Sequence, residues 1–162
     1  MIQEKYNRRI FDEGTEEAIV NFSHLRSNVL SPVGISKDDN VLIIEPDSTS
    51  LVEWLKEQAD SVTVKDADDL SHLQDKFNII INLGHMTETP TTLKNLLEEE
   101  GRLVYALAEK DRLAGFVKKL LAEAGFDDIV TYRVSPDYLF TTEIFADDYT
   151  GGGAGDYLLI AK

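Results

Sequence analysis

Cysteine is missing from all 162 residues, which removes disulfides, thiolate nucleophiles, cysteine-ligated zinc and iron–sulfur clusters at once. Cations are scarce: 16 Lys and Arg stand against 30 Asp and Glu, for a net charge of −14. Such a balance repels phosphate backbones and anionic lipid headgroups, because nucleic-acid affinity comes largely from Lys and Arg neutralising phosphates. No nucleic-acid partner is expected. No apolar run approaches the roughly 18 residues of a membrane span, and the charged stretch Met1 to Ile10 is not followed by the apolar core of a secretory leader. A cytoplasmic protein without membrane insertion is therefore expected. The three histidines, His24, His72 and His85, stand far apart without metal-ligand spacing, so no metal is expected either.

What is present suffices for one folded domain, with 43% hydrophobic and 9% aromatic residues. Residues 1–14 read as a polar N-terminal segment, mobile around Gln3 to Arg9, ahead of a single domain over 15–162. Ala18, Ile19, Phe22, Leu25, Val29 and Leu30 recur at spacings of three and four, a weak helical pattern stopped by Ser31-Pro32-Val33-Gly34. Val41 to Ile44 is a short unbroken apolar run between turn signals, the mark of a strand buried on both faces. A polar turn over 45–50 leads to a helix in which Leu51, Trp54 and Leu55 share a face. The alternation continues with strands at Ser61–Lys65 and Phe77–Leu83, a helix over Thr91–Glu100 closed by Gly101, and a strand at Arg102–Leu107. An amphipathic helix from Phe116 ends at Gly125. Three further strands, Ile129–Val134, Leu139–Phe145 and Tyr157–Ala161, then follow without helices between them, the last two joined through Thr150–Gly155. This order predicts a three-layer α/β fold: a Rossmann-like sheet of about seven strands, mostly parallel, closed by a C-terminal antiparallel hairpin.

From about residue 15 onward the order of elements resembles the class I S-adenosylmethionine-dependent methyltransferases. More narrowly, three segments are similar to methyltransferase-like domains associated with bacterial glycosyltransferases and cell-surface polysaccharide assembly. They are Ser23 to Leu30, Leu96 to Leu103, and Ser135 to Tyr149, the last with its Pro136-Asp137-Tyr138 and Asp147-Asp148-Tyr149. The resemblance implies an adenosyl cofactor held by a loop of three alternating glycines after the first strand. Aligned on Val41-Leu42, those glycine positions are Glu45, Asp47 and Thr49, and the preceding acidic position is Ile43. Side chains, two of them carboxylates, thus stand where the cofactor's own carboxylate would approach. With the loop shifted by one residue, Glu45 would take the acidic position, and Ser48 or Thr49 could donate to the ligand.

Asp66, at the tip of the second strand, corresponds to the acidic residue that bonds the cofactor ribose in that family. Leu83 and Gly84, at the tip of the Phe77–Leu83 strand, lie where open α/β sheets place their ligand crevice. His85 is the candidate general base, since an imidazole accepts a proton at neutral pH, and Glu88 is placed to orient it. Asn78 reads as a strand-start amide bonded to backbone. Gly151–Gly155 lacks the Lys-Ser/Thr of a phosphate loop and reads as a hairpin connection, and Asp147, Asp148 and Glu143 lack the spacing of a calcium loop. Glu98 to Glu100 reads as a solvated helix end.

Three functions stay open. The glycine-free loop favours a non-catalytic domain that binds or scaffolds, partnered by a protein of glycan assembly. Asp66, Gly84 and the element order favour an active methyltransferase with an atypical S-adenosylmethionine loop. A nucleotide-binding α/β protein shares the crevice but lacks a phosphate-cradling loop.

Overall fold

The computed structural model describes residues 2–86, 89–146, 148–151 and 155–162. Seven strands form one sheet in the order β2-β1-β3-β4-β7-β5-β6. Strands β1 (Asn40–Ile44), β2 (Ser61–Lys65), β3 (Phe77–Leu83) and β4 (Leu97–Ala108) run parallel. Strand β7 (Asp156–Ala161) is inserted antiparallel between β4 and β5 (Ile129–Ser135), and β6 (Glu143–Phe145) closes the far edge against β5.

The apolar runs read as strands are the inner ones, because a strand covered on both faces needs apolar side chains at odd and even positions alike. Val41 to Ile44 and Ile79 to Leu83 are all buried. Strand β2 is an edge, and its Val64 remains 44% exposed. Helix α3 (Thr49–Gln58) lays Leu51 and Leu55 on one sheet face, against Val41, Ile43 and Ile79. On the opposite face α5 (Ala114–Glu123) buries Ala114, Val117 and Leu121, spaced by three and four, against Tyr105, Leu107 and Leu159. Asn78 behaves as its position suggests, its side-chain oxygen accepting from the Asn40 N–H at 2.8 Å.

Several expectations need correction. Residues 1–14 contain helix α1 (Ile2–Glu13), which stacks Tyr6 on Phe22 of α2 (Glu16–Phe22) at 5.4 Å and places Arg9 over the same ring at 4.0 Å. Polarity concealed this helix, since its contact with the domain runs through few side chains. The pattern over 18–30 is not one helix: Ser23 ends α2 and caps a 3₁₀ helix over His24–Val33. Helix α4 is short, Pro90–Asn95, and Leu97 to Glu100 belong to β4. Leu97 pairs with Phe77, after which the register jumps so that Arg102 faces Ile79, leaving the acidic residues 98–100 in a solvated bulge. Gly101 serves that bulge and not a helix end, because a Cβ there would come within 2.9 Å of the Glu98 carbonyl oxygen. The strand expected over Leu139–Phe145 shrinks to Glu143–Phe145 and pairs with β5, not with β7. The Gly151–Gly155 connection falls partly on 152–154, outside the described residues.

Among the described residues no helix is long and apolar enough to cross a membrane, and no three metal-ligating side chains converge. Asp148 of the acidic pair is engaged by Lys118 at 2.9 Å and by the Thr131 N–H, and the lysine holds its carboxyl below the ordinary aspartate range. Asp147 lies outside the described residues.

Candidate functional site

The chain leaves β1 toward β2 on one side and returns to β3 on the other, so the carboxyl ends of β1 and β3 open a crevice at the switch in strand order. Glu45 and Gly84 are the residues immediately beyond these two ends. The Glu45 N–H donates to the Lys65 carbonyl, and the Gly84 N–H donates to that of Ala106. Glu45 has φ +45°, a left-handed conformation rare outside glycine. The backbone therefore keeps a glycine-like turn at the first aligned glycine position while carrying a carboxylate.

That carboxylate reaches across the crevice. Glu45 Oε2 lies 3.1 Å from His85 Nε2, within ion-pair range, although the angle is not that of a hydrogen bond. The structure thus brings together two residues that the sequence offered separately, one as cofactor ligand and one as base. Glu88, the expected orienting residue, lies outside the described residues.

Gly84 has φ +90°, and a Cβ there would lie 2.6 Å from the Tyr138 hydroxyl oxygen. Alanine at 84 is expected to cost about 2 kcal/mol, from the positive φ together with displacement of a stiff, half-buried ring. Urea unfolding measures this, and a cost under about 0.5 kcal/mol would contradict the packing described.

Tyr138 belongs to a second cluster that sequence reasoning missed. Arg26 is fully buried; its guanidinium donates to the carbonyls of Tyr138 at 3.2 Å and Leu139 at 3.5 Å and pairs with Asp47. Its Nε has no hydrogen-bond partner among the described residues. The signal was in the spacing: Arg26, Val29, Leu30 and Val33 are the buried residues of the 3₁₀ segment, so a cation occupies the first position of an inward-facing set. Burial, aided by the Asp47 carboxylate, opposed by Arg26, and aided again by Asp156 and Asp111, pushes the Tyr138 hydroxyl above its ordinary value, so it is a neutral donor.

The start of α3 is tied down by the chain itself. The Ser48 hydroxyl accepts from Leu51 N–H and lies within hydrogen-bond range of the Asn21 carbonyl, while the Thr49 N–H donates to the Asn21 side chain at 2.7 Å. Ser48 is buried in these contacts, and Thr49 is exposed beside them. Asp66, by contrast, is exposed at the tip of β2, and its side chain does not cap the short 3₁₀ helix that follows. Leu83 packs in the core on the α3 side.

Asn82, just inside the crevice on β3, is fully buried, and neither atom of its amide has a partner among the described residues. An unsatisfied buried amide costs about 1–3 kcal/mol, so Asn82→Val, an apolar β-branched residue of comparable size that suits a strand, is expected to raise stability by about 1 kcal/mol in urea unfolding. A loss of stability would mean that the amide has an ordered partner.

Asp156 accepts from the Tyr138 N–H at 2.8 Å. Burial, reinforced by Asp137 and Asp111, raises its carboxyl above the ordinary 3.8. The native state then retains this proton to higher pH than the unfolded chain does, so its contribution to stability falls as pH rises from 3.8 through the raised value. Asp156→Asn keeps an acceptor and removes the charge. Its melting temperature is expected to exceed that of the parent at pH 7, with the advantage shrinking as the pH is lowered toward the ordinary carboxylate range.

A separate cleft of about 480 Å³ is lined by Met86, Thr89, Arg112, Phe116 and Leu120. Met86 follows His85 directly, and Phe116 remains 49% exposed.

No protein-family model matches the chain, and no curated protein sequence matches it. Solved structures do. Precorrin-6y C5,15-methyltransferase from Geobacter metallireducens GS-15 aligns with a TM-score of 0.56 over 85% of this chain and 86% of that one, at 16% identity. A S-adenosylmethionine-dependent methyltransferase from Thermotoga maritima aligns at 0.54 over 97% and 98%, at 12% identity. A glycopeptide N-methyltransferase solved with S-adenosyl-L-methionine bound aligns at 0.53 over 85% and 86%, also at 12% identity. At such identities the likeness is one of fold. The chain is a doubly wound α/β protein, and its architecture is that of the class I S-adenosylmethionine-dependent methyltransferases.

Proposed function

We propose that the protein binds a ligand of the S-adenosylmethionine type across the carboxyl ends of β1, β2 and β3 and acts as a methyltransferase on a small acceptor. The observation that carries this reading is the contact of the left-handed Glu45 with His85 between the ends of β1 and β3, with an uncapped Asp66 at the end of the adjoining β2. Asp66 is free to take both hydroxyls of a ribose. Glu45, at the position of the first family glycine, keeps the turn that lets backbone approach a ligand. The nucleoside end of the ligand therefore fits the residues present.

The amino-acid end meets a loop whose groups are already bonded to the chain, through Asn21 and Arg26. S-adenosylmethionine, when bound, supplies an electrophilic methyl group. The protein's own part is to orient the acceptor and hold a proton. His85 takes that proton, and the Glu45 carboxylate 3.1 Å from its Nε2 stabilises the resulting cation. The cleft beginning at Met86 is of a size suited to a small acceptor, with an apolar wall at Phe116 and Leu120 and a cation at Arg112.

A second reading, a binding or scaffolding module without catalysis, is favoured by that internally bonded, glycine-free loop. A partner among glycan-assembly proteins rests on the sequence resemblance alone. Calorimetric titration with S-adenosylhomocysteine at millimolar concentration separates the two. Saturable binding is expected, and a folded protein giving no heat would leave the scaffolding reading in place.

A further inference from the structure

The fully buried Arg26 is bonded to an exposed carboxylate. Its partner Asp47 sits on the loop after β1, with 44% of its side chain open to solvent, at a position where the resembling family has glycine. The remaining guanidinium contacts are to two backbone carbonyls of the segment that carries Tyr138 across Gly84. Arg26 is thus a buried cation with one replaceable anion and, among the described residues, an unpartnered Nε, held beside the loop after β1.

Burying a guanidinium requires a compensating negative group, but that group need not belong to the chain. Asp47 is well suited to leave. It borders an open hollow of about 430 Å³ that also contains Thr49 and Lys56, so a displaced carboxylate meets water and a second cation. Asp47 meets Arg26 through one oxygen, at Nη2, and a guanidinium binds any carboxylate that can set an oxygen there.

We infer that Arg26 is the receiving group for the α-carboxylate of the ligand's amino-acid end, and that Asp47 is an internal stand-in which the ligand displaces. This rests on the adenosyl binding proposed above and adds a restraint on it: only the fraction of molecules with Arg26 released from Asp47 is competent, so apparent affinity falls by that fraction. The restraint is selective. It acts on ligands with a carboxylate and leaves a bare adenosyl thioether untouched.

The test compares S-adenosylhomocysteine with 5′-methylthioadenosine, which shares its adenosyl thioether and lacks the amino acid, by calorimetry on the parent protein, Asp47→Asn and Arg26→Lys. Asp47 is exposed, so its variant tests the idea even where Arg26→Lys is too unstable to measure; melting curves establish that each is folded. The expected result is about tenfold tighter binding of S-adenosylhomocysteine by Asp47→Asn, at least tenfold weaker binding by Arg26→Lys, and unchanged 5′-methylthioadenosine binding in both. Equal effects on the two ligands, or no effect of Asp47→Asn on S-adenosylhomocysteine, would overturn the Arg26 assignment and leave adenosyl binding standing. Failure of every folded variant to bind either nucleoside would overturn both.

Discussion

Replacing Arg26 with methionine is expected to lower the unfolding free energy by about 3 kcal/mol, and the melting temperature by about 10 °C for a domain of this size. Methionine fills most of the vacated volume, so the loss is chiefly polar. The carbonyls of Tyr138 and Leu139 lose their donor, and the segment crossing the crevice loses its tie to the loop after β1. Removing one member of a buried ion pair commonly costs about 3–5 kcal/mol because the other charge is stranded. Here the other charge is Asp47, which is partly solvated and rehydrates, so the lower end of that range applies. Urea unfolding followed by circular dichroism measures the change. A loss below about 1 kcal/mol would show that Arg26 does not hold these segments together.

Asp66→Ala is expected to do the opposite: little to stability and much to binding. Its carboxylate is exposed and makes no cap bond to the helix that follows, so its removal should alter the unfolding free energy by no more than about 0.5 kcal/mol. Two charge-assisted hydrogen bonds to ribose hydroxyls at about 1.5 kcal/mol each amount to roughly a hundredfold in affinity for S-adenosylhomocysteine. Calorimetry on the parent and the variant reads this directly. Unchanged affinity would move the nucleoside away from the tip of β2 and with it the proposed orientation of the ligand.

The inner strands were legible because their burial writes itself into composition. Val41 to Ile44 and Phe77 to Leu83 could be bounded to within a residue, since short, β-branched apolar runs between turn signals are what doubly covered strands need. The α4–β4 boundary was not legible. Leu96 to Glu100 has the composition of a helix, and only the pairing of Leu97 with Phe77 and the tight space at Gly101 place it in the sheet. Both are facts about partners distant in the chain. Strand β7 shows the same limit: its apolar run predicts a strand, but not that it lies between β4 and β5.

At the site, each of Glu45, Asp66, Gly84 and His85 could be nominated from its place at a strand tip. The meeting of Glu45 with His85 could not, because it depends on the reversal in strand order that sets β1 beside β3. Arg26 escaped notice for another reason. A charged residue at a helical spacing reads as surface, and its burial follows from an anion 21 residues later and two carbonyls more than 110 residues away.

The place of β7 bears on how the molecule is made. Its six residues, Asp156–Ala161, come after both of their neighbours in chain order, yet among the described residues they alone join β4 to β5. Until they emerge, the nascent chain carries two incomplete sheets, each with an open edge of unpaired amides and carbonyls, and β4 and β5 are both made before either edge can be covered. A ribosome that stalls or terminates ahead of Asp156 therefore releases a product with two adhesive borders, suited to pairing with its own kind.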